Sequence, residues 1–377
     1  MKQDTQFSFK NLLLAIVSFF FFLLDVALDM YAIYSFYQEE AYVSLGVLIF
    51  VLVGSSVVLQ LFSWMWYTKD SQMFEGRVYN FAKNHSLIGI LHVLQLGIFL
   101  RYASLVEISI VRFWERISFP QAAAKKQNHD LLTLRLFETF TENIPQLCLM
   151  VSTVFIKKEL ELFTALKIAG SFIAVTISTL MFHRGMCALH CNEHNMGWGS
   201  SVIYSLWSLL LILARVTALA LFASVLPIFV VAHFLTLWMS FIFWVWREKT
   251  KFMDGPGGEW LYRATVGLIW YFSWLNVTRE SAKPNSVIYH VVIIMDTGLL
   301  VGMWWWKMVC EGLMFIKPLI VVSAVVSFYL VGLAFEMVYY KWLHCTFEVD
   351  LPEPTEGRHR TEIIQAACLE ERQPEIY

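Results

Sequence analysis

Long apolar stretches separated by short polar ones set the pattern of this chain. Runs such as Leu12 to Leu24, Val43 to Val58, Ile203 to Leu213, Leu226 to Trp244 and Val287 to Met295 lie in segments of roughly 20 mostly apolar residues, the length of helix that crosses a bilayer core. About ten such segments occur, at residues 12–37, 42–67, 86–106, 131–156, 160–184, 201–224, 227–246, 259–277, 287–308 and 313–341. Composition points the same way: over 377 residues, 58% are hydrophobic, 15% are charged and the mean hydropathy is +0.58, more apolar surface than a soluble domain can hide. The pattern predicts an all-α polytopic membrane protein.

Basic residues near span ends mark the cytoplasmic side. Two segments are flanked by them on both sides: 86–106, between Lys69, Arg77 and Lys83 and then Arg112, Arg116, Lys125 and Lys126, and 259–277, between Arg247, Lys249 and Lys251 and then Arg279 and Lys283. If both enter and leave on the cytoplasmic side as re-entrant helical hairpins, about eight transmembrane helices remain and both termini are cytoplasmic. The order is then two spans, a dip and two spans, twice over, a parallel repeat dividing the chain into residues 1–184 and 185–344. Lys157 and Lys158 would fall outside, against the charge rule. Trp64 and Trp66, Trp244 and Trp246, and Trp304 to Trp306 fall at segment ends, as interfacial belts or as core packing.

The first segment is too long for a cleaved leader and is expected to stay as a signal anchor. Residues 345–377 turn to Glu, Arg and Pro and read as a cytoplasmic tail, with Ile363, Ala366 and Ala367 at the spacing of a short amphipathic helix. A net charge of −2 and the lack of a basic tract give no reason to expect a nucleic-acid partner. No P-loop, dinucleotide fingerprint, HExxH or GxSxG occurs, so neither an enzyme nor a cofactor is expected. His183, Cys187, His190, Cys191 and His194 gather near one span end at zinc-like spacings, though juxtamembrane thiols are equally S-acylation sites. Asn84-His85-Ser86 and Asn276-Val277-Thr278 match the glycosylation pattern on the expected cytoplasmic side and should be unmodified.

The candidate chemistry is charge inside the spans. Asp25 and Asp29 are four apart on one helix face, and each would cost roughly 2.5 to 3.5 kcal/mol at a span centre facing lipid. Arg135, Glu138, Glu142 and Gln146 form a second stripe, with Pro145 expected to kink it. Arg101, Lys167, Arg215, Asp296 and Glu336 are further ionisable groups in apolar surroundings. Singly, each could be a buried bridge that fixes packing; together they suggest a polar track for ions, protons or lipid headgroups.

The run Leu134-Arg135-Leu136-Phe137-Glu138-Thr139, continuing to Pro145-Gln146-Leu147, resembles the signature of the XK-related family. Leu59-Gln60-Leu61-Phe62-Ser63-Trp64, Gly199-Ser200-Ser201-Val202-Ile203-Tyr204, Glu259-Trp260-Leu261-Tyr262-Arg263 with Tyr271-Phe272-Ser273-Trp274, Tyr339-Tyr340 and Trp342-Leu343-His344 extend the likeness up to the tail. The resemblance implies a plasma-membrane phospholipid scramblase that exposes phosphatidylserine on apoptotic cells without ATP, with eight spans and two dips in two repeats. It implies that Asp25, Asp29, Arg135, Glu138, Glu142, Gln146 and Arg215 line a hydrophilic path for headgroups, and that an immunoglobulin-type accessory glycoprotein such as basigin or neuroplastin is a partner. Two departures stand out. Met181 precedes Phe182-His183-Arg184 where the family pattern has an acidic residue, and the expected caspase site reads Phe347-Glu348-Val349-Asp350 followed by Leu351. Asp350 keeps the cleaved position with poor neighbours, so phosphorylation or a partner is an alternative trigger. A proton- or ion-coupled solute transporter is the alternative of a different class.

Overall fold

Lipid offers no partners to backbone N–H and C=O groups, so a spanning chain must satisfy them within helices or a closed barrel. The computed structural model describes residues 2–69, 76–114, 121–190, 197–253, 255–276, 282–311 and 318–343, and every regular element among them is helical. Asp350, the tail, Cys191, His194, Cys345, Cys368 and Thr278 lie outside the described residues, as does the side chain of His190. The helices are α1 (Lys2–Gln38), α2 (Tyr42–Lys69), α3 (Arg77–Asn84), α4 (Leu87–Val93), α5 (Gly97–Trp114), α6 (Gln121–Glu138), α7 (Ile144–Lys157), α8 (Leu162–His190), α9 (Trp198–Val225), α10 (Pro227–Arg247), α11 (Pro256–Phe272), α12 (Ala282–Glu311) and α13 (Pro318–Val338). The described residues form one compact unit.

By length and composition, 7 described helices can cross a membrane: α1, α2, α8, α9, α10, α12 and α13. The expected span at 131–156 is not among them, because Arg135, Glu138 and Glu142 crowd a short stretch and the α-helix is interrupted there. α6 and α7 nevertheless run on as one rod through a π-helical turn at Thr139–Asn143. The expected kink at Pro145 takes this form. Proline cannot donate to the carbonyl four residues back and its ring crowds it, and the looser turn, in which Ile144 N–H bonds Thr139 O, absorbs the mismatch one residue earlier.

The two expected hairpins differ. Residues 86–106 form one, α4 and α5 joined at Leu94–Leu96, with Gln95 at φ 64°. Residues 259–277 have a single helical limb: α11 ends at Phe272, Ser273 is extended at φ −151°, and Trp270 Nε1 donates to Leu275 O at 2.8 Å, folding the return strand of chain against the helix end. Trp274 then stacks on Trp270 at 4.8 Å and meets Tyr289, tilted, at 5.2 Å between ring centres.

The core gathers round α9. Buried residues make up 61% of its apolar window, against 11 to 33% in the other spans, and it packs on α7, α8, α10, α11, α12 and α13. α1 sits at the edge, resting on α2 and α5. Near the far end of α2, aromatic rings join both parts of the chain: Trp66 meets Phe252 at 6.3 Å, and Phe137 meets Tyr262 at 6.4 Å. Each tryptophan cluster is divided between lipid and core, with Trp64, Trp246, Trp305 and Trp306 exposed while Trp66 and Trp304 are buried. Lys157, which the charge rule disfavours in its place, pairs with Glu39 at 2.5 Å, so the α1–α2 and α7–α8 connections lie on one side.

Candidate functional site: a polar stripe at the edge of the bundle

α1 carries its aspartates one turn apart, so both face α6, α7 and α8. Asp29 is buried beside Gln146 and Glu142, and Asp25 lies beside Asn143 and 3.9 Å from Arg135 Nη1. Arg135 is held more closely by Glu138 at 2.5 Å, and its guanidinium lies over Phe22 at 4.9 Å and Tyr102 at 5.7 Å. Glu142 sits in the π turn beside Ser55 of α2, whose hydroxyl meets Thr141 Oγ1 at 2.7 Å. Lys167 of α8 donates to Leu28 O at 3.2 Å, placing a cation near both aspartates.

Six of the seven residues expected to line the path, Asp25, Asp29, Arg135, Glu138, Glu142 and Gln146, therefore meet in one stripe. The π turn contributes to this. Its extra residue per turn changes how residues before and after it are phased, and Glu138, Glu142 and Gln146 are all buried across it. The stripe contains four carboxyl groups, Asp25, Asp29, Glu138 and Glu142, against the cations Arg135 and Lys167, so pairing does not cover them all. Asn143 Oδ1 is buried with no hydrogen-bond partner among the described residues. The stripe also has an open edge: the Asp25 side chain is 31% and the Arg135 side chain 21% exposed, whereas Glu138 is 8%. A bridge built only to fix packing would be closed on all sides.

The seventh residue, Arg215, goes elsewhere. On α9 it is fully buried, its Nη1 donates to Asp296 Oδ2 at 2.6 Å and its Nε to Tyr271 O at 3.0 Å. His233 bridges the other oxygen of Asp296 at 2.8 Å and the Tyr271 hydroxyl at 2.9 Å. This closed cluster ties α9, α10, α11 and α12 together. Cys148, two residues beyond Gln146 on α7, lies within electrostatic reach of Arg215 and Tyr271, so the two clusters adjoin without merging.

The remaining intramembrane charges have oppositely charged or polar partners nearby. Glu336 of α13 pairs with His290 at 3.0 Å, and His290 also reaches the Tyr329 hydroxyl at 3.1 Å. Arg101 of α5 donates to Ser63 Oγ and O at 2.7 and 2.9 Å, covers Tyr67 at 4.3 Å and lies 3.6 Å from Asp130. Gln60 accepts from Gly97 N at 3.0 Å, so the Gln60 to Ser63 run pins the first hairpin to α2. Glu259 accepts from Thr250 Oγ1, Phe252 N and Met253 N at 2.5 to 2.9 Å and caps the turn before α11.

Single-sequence reasoning passed over His233, His290, Ser55, Asn143, Thr141 and Tyr102. A lone histidine or hydroxyl in an apolar run carries no signal of its partner, although the acidic residues that claim them were visible. Of the suspected metal ligands, His183 is stacked on Tyr204 at 4.2 Å and bonded to the Tyr339 hydroxyl at 2.7 Å, with Cys187 Sγ 3.7 Å away. Among the described residues no group of side chains could hold a metal ion. Met181, the departure in the polar pattern, is exposed on α8.

The sequence also matches known proteins. A sequence model described as XK-related protein matches residues 13–345. The chain is 37% identical to XK-related protein 8 of Tetraodon nigroviridis over 346 residues, 90% of this chain and 85% of that one. It is 34% identical to XK-related protein 8 of Pan troglodytes over 367 residues, 92% and 88% of the two chains. XK-related protein 9 of Tetraodon nigroviridis is more distant, 26% identical over 299 residues, 76% of this chain and 78% of the relative. With a match that runs from the first span to the last, and a helical body that fits it, the chain belongs to the XK-related family.

Proposed function

We propose that this protein is a phospholipid scramblase, moving lipids including phosphatidylserine between leaflets without ATP. The observation that carries the reading is the open polar stripe of Asp25, Asp29, Arg135, Glu138, Glu142 and Gln146 at the bundle edge. A zwitterionic or anionic headgroup crossing the bilayer loses its hydration, and a ladder of charged and amide groups on the lipid-facing margin replaces part of it while the acyl chains stay in lipid. A peripheral stripe suits that cargo better than a central pore, because the tails never have to enter the protein. Membership of a family that holds XK-related protein 8 supports the same reading. In this proposal the protein lies in the plasma membrane with both termini cytoplasmic, the tail after residue 344 holds it inactive, and cleavage at Asp350 by a caspase, or phosphorylation, releases it. An immunoglobulin-type glycoprotein would bring it to the surface.

Cells expressing the full-length chain, and a version ending at Asp350, are stained with annexin with and without an apoptotic stimulus. The proposal expects the shortened form to expose phosphatidylserine unstimulated; silence of both forms at the surface would overturn it. The transporter alternative is separated by ion dependence, since a passive lipid path needs no coupling gradient.

A further inference from the structure

A second feature of the membrane face lies apart from the stripe. Where the end of α8 meets the start of α9, a groove of about 280 Å³ opens on the outer surface of the two helices. Leu180 and Arg184 line it from one face of α8, four residues apart, and Trp198, Ser201, Val202 and Leu206 from one face of α9. The lining changes along its length. Arg184 and Trp198 stand toward the helix ends, whereas Leu180, Val202 and Leu206 lie further along the spans; Ser201 between them is buried, its hydroxyl donating to Gly197 O at 3.1 Å. Arg184 is exposed and forms no ion pair among the described residues; its one hydrogen bond is Nη1 to Ser201 Oγ at 3.3 Å. A guanidinium has five N–H donors in a planar fork, so most remain for an oxyanion. Trp198, 86% exposed at the first position of a span, has the placement of an interfacial anchor.

We propose that this groove is a binding site for an anionic phospholipid: the phosphate or carboxylate of the headgroup on Arg184, which Ser201 helps to orient, and one acyl chain along Leu180, Val202 and Leu206. Charge complementarity selects the occupant. A lone cation above an aliphatic trough, on two helices that themselves span the bilayer, matches an amphiphile with a negative head. The basic-residue pattern places this end of α8 and α9 on the cytoplasmic side, where anionic lipids concentrate. The lipid wedges α8 against α9, the central helix, and so sets the packing of the bundle from outside the headgroup path.

The test uses the purified full-length chain in phosphatidylcholine nanodiscs containing phosphatidylserine, with retained lipids counted by native mass spectrometry. Wild type retains phosphatidylserine in preference to phosphatidylcholine. Arg184→Gln lowers that preference by about tenfold and Arg184→Lys keeps most of it, since the charge remains while the fork is lost. Val202→Trp fills the trough and removes the bound lipid of either kind. Glu142→Gln, in the stripe, leaves the Arg184-dependent retention unchanged. Retention by both Arg184→Gln and Val202→Trp at the wild-type level overturns the site, and displacement of the lipid by inorganic phosphate would show a free-anion site instead. Retention is read without lipid movement, so its failure and the failure of the scramblase reading are separate results.

Discussion

Glu142 lies where α1, α2 and the π turn meet, beside Asp29 and Ser55. A purely structural role predicts that Glu142→Gln lowers expression or thermal stability and leaves lipid exposure per surface molecule unchanged. The scramblase reading expects the reverse: near-normal surface levels and, for Glu142→Gln or Asp25→Asn, a fall of about tenfold in phosphatidylserine exposure per molecule, which corresponds to about 1.4 kcal/mol at the barrier. Annexin signal normalised to surface-labelled protein separates the two. Arg215 belongs to the opposite class. Its guanidinium is buried against a partly buried Asp296, and Arg215→Ala leaves that carboxylate with His233 alone, at a cost of up to about 3 to 5 kcal/mol. The expected outcome is loss of folded protein in a fluorescence size-exclusion assay, with partial recovery in the Arg215→Ala, Asp296→Asn double variant.

Among the elements, the first hairpin shows how a polar side chain places a helix. Gln60 satisfies the Gly97 N–H at the start of α5, and a side chain added at Gly97 would run into Gln60 and His92. Gln60→Leu strands a buried N–H, worth about 1 to 3 kcal/mol, and Gly97→Ala adds a steric clash. Both are expected to lower the melting temperature of the detergent-purified protein, and an unchanged melting curve for Gly97→Ala would mean that α5 does not seat on α2 as described. The Gln60-to-Ser63 run that carries the family likeness is thus explained by docking, through Gln60 on Gly97 and Ser63 on Arg101 and His92. The π turn teaches the complementary lesson. Pro145 announced an interruption in α6 and α7, but a turn that widens the helix rather than bending it at the proline depends on how Thr139, Glu142 and their neighbours pack.

For the whole molecule, orientation is the property most open to test. With both termini cytoplasmic, Lys158→Cys in the α7–α8 connection is labelled by an impermeant maleimide on intact cells, in a background lacking reactive native thiols, whereas Lys83→Cys is labelled only after permeabilisation. Asn84 and Asn276 carry no glycan in the same cells. The opposite labelling pattern would invert the topology and put the groove at Arg184 in the outer leaflet.

What the chain determines by itself follows from transfer energies that each residue carries wherever it lies. Apolar runs of span length select helices in lipid, charges near their ends bias orientation, and Asp25, Asp29 or Glu142 in such a run must face protein or water because lipid excludes them. These consequences are local in sequence and were legible there, including the likeness to the family. Partnership is not local. Arg215 and Asp296 are 81 positions apart, and nothing in either neighbourhood says that Arg215 leaves the path while Arg135 joins it. The phase change at the π turn, the extended chain at Ser273 that ends α11, the recruitment of His233 and His290, and the position of the stripe at the bundle edge were decided only when the helices packed. Burial and pairing depend on which faces meet, and that is settled by the summed contacts of the whole bundle round α9.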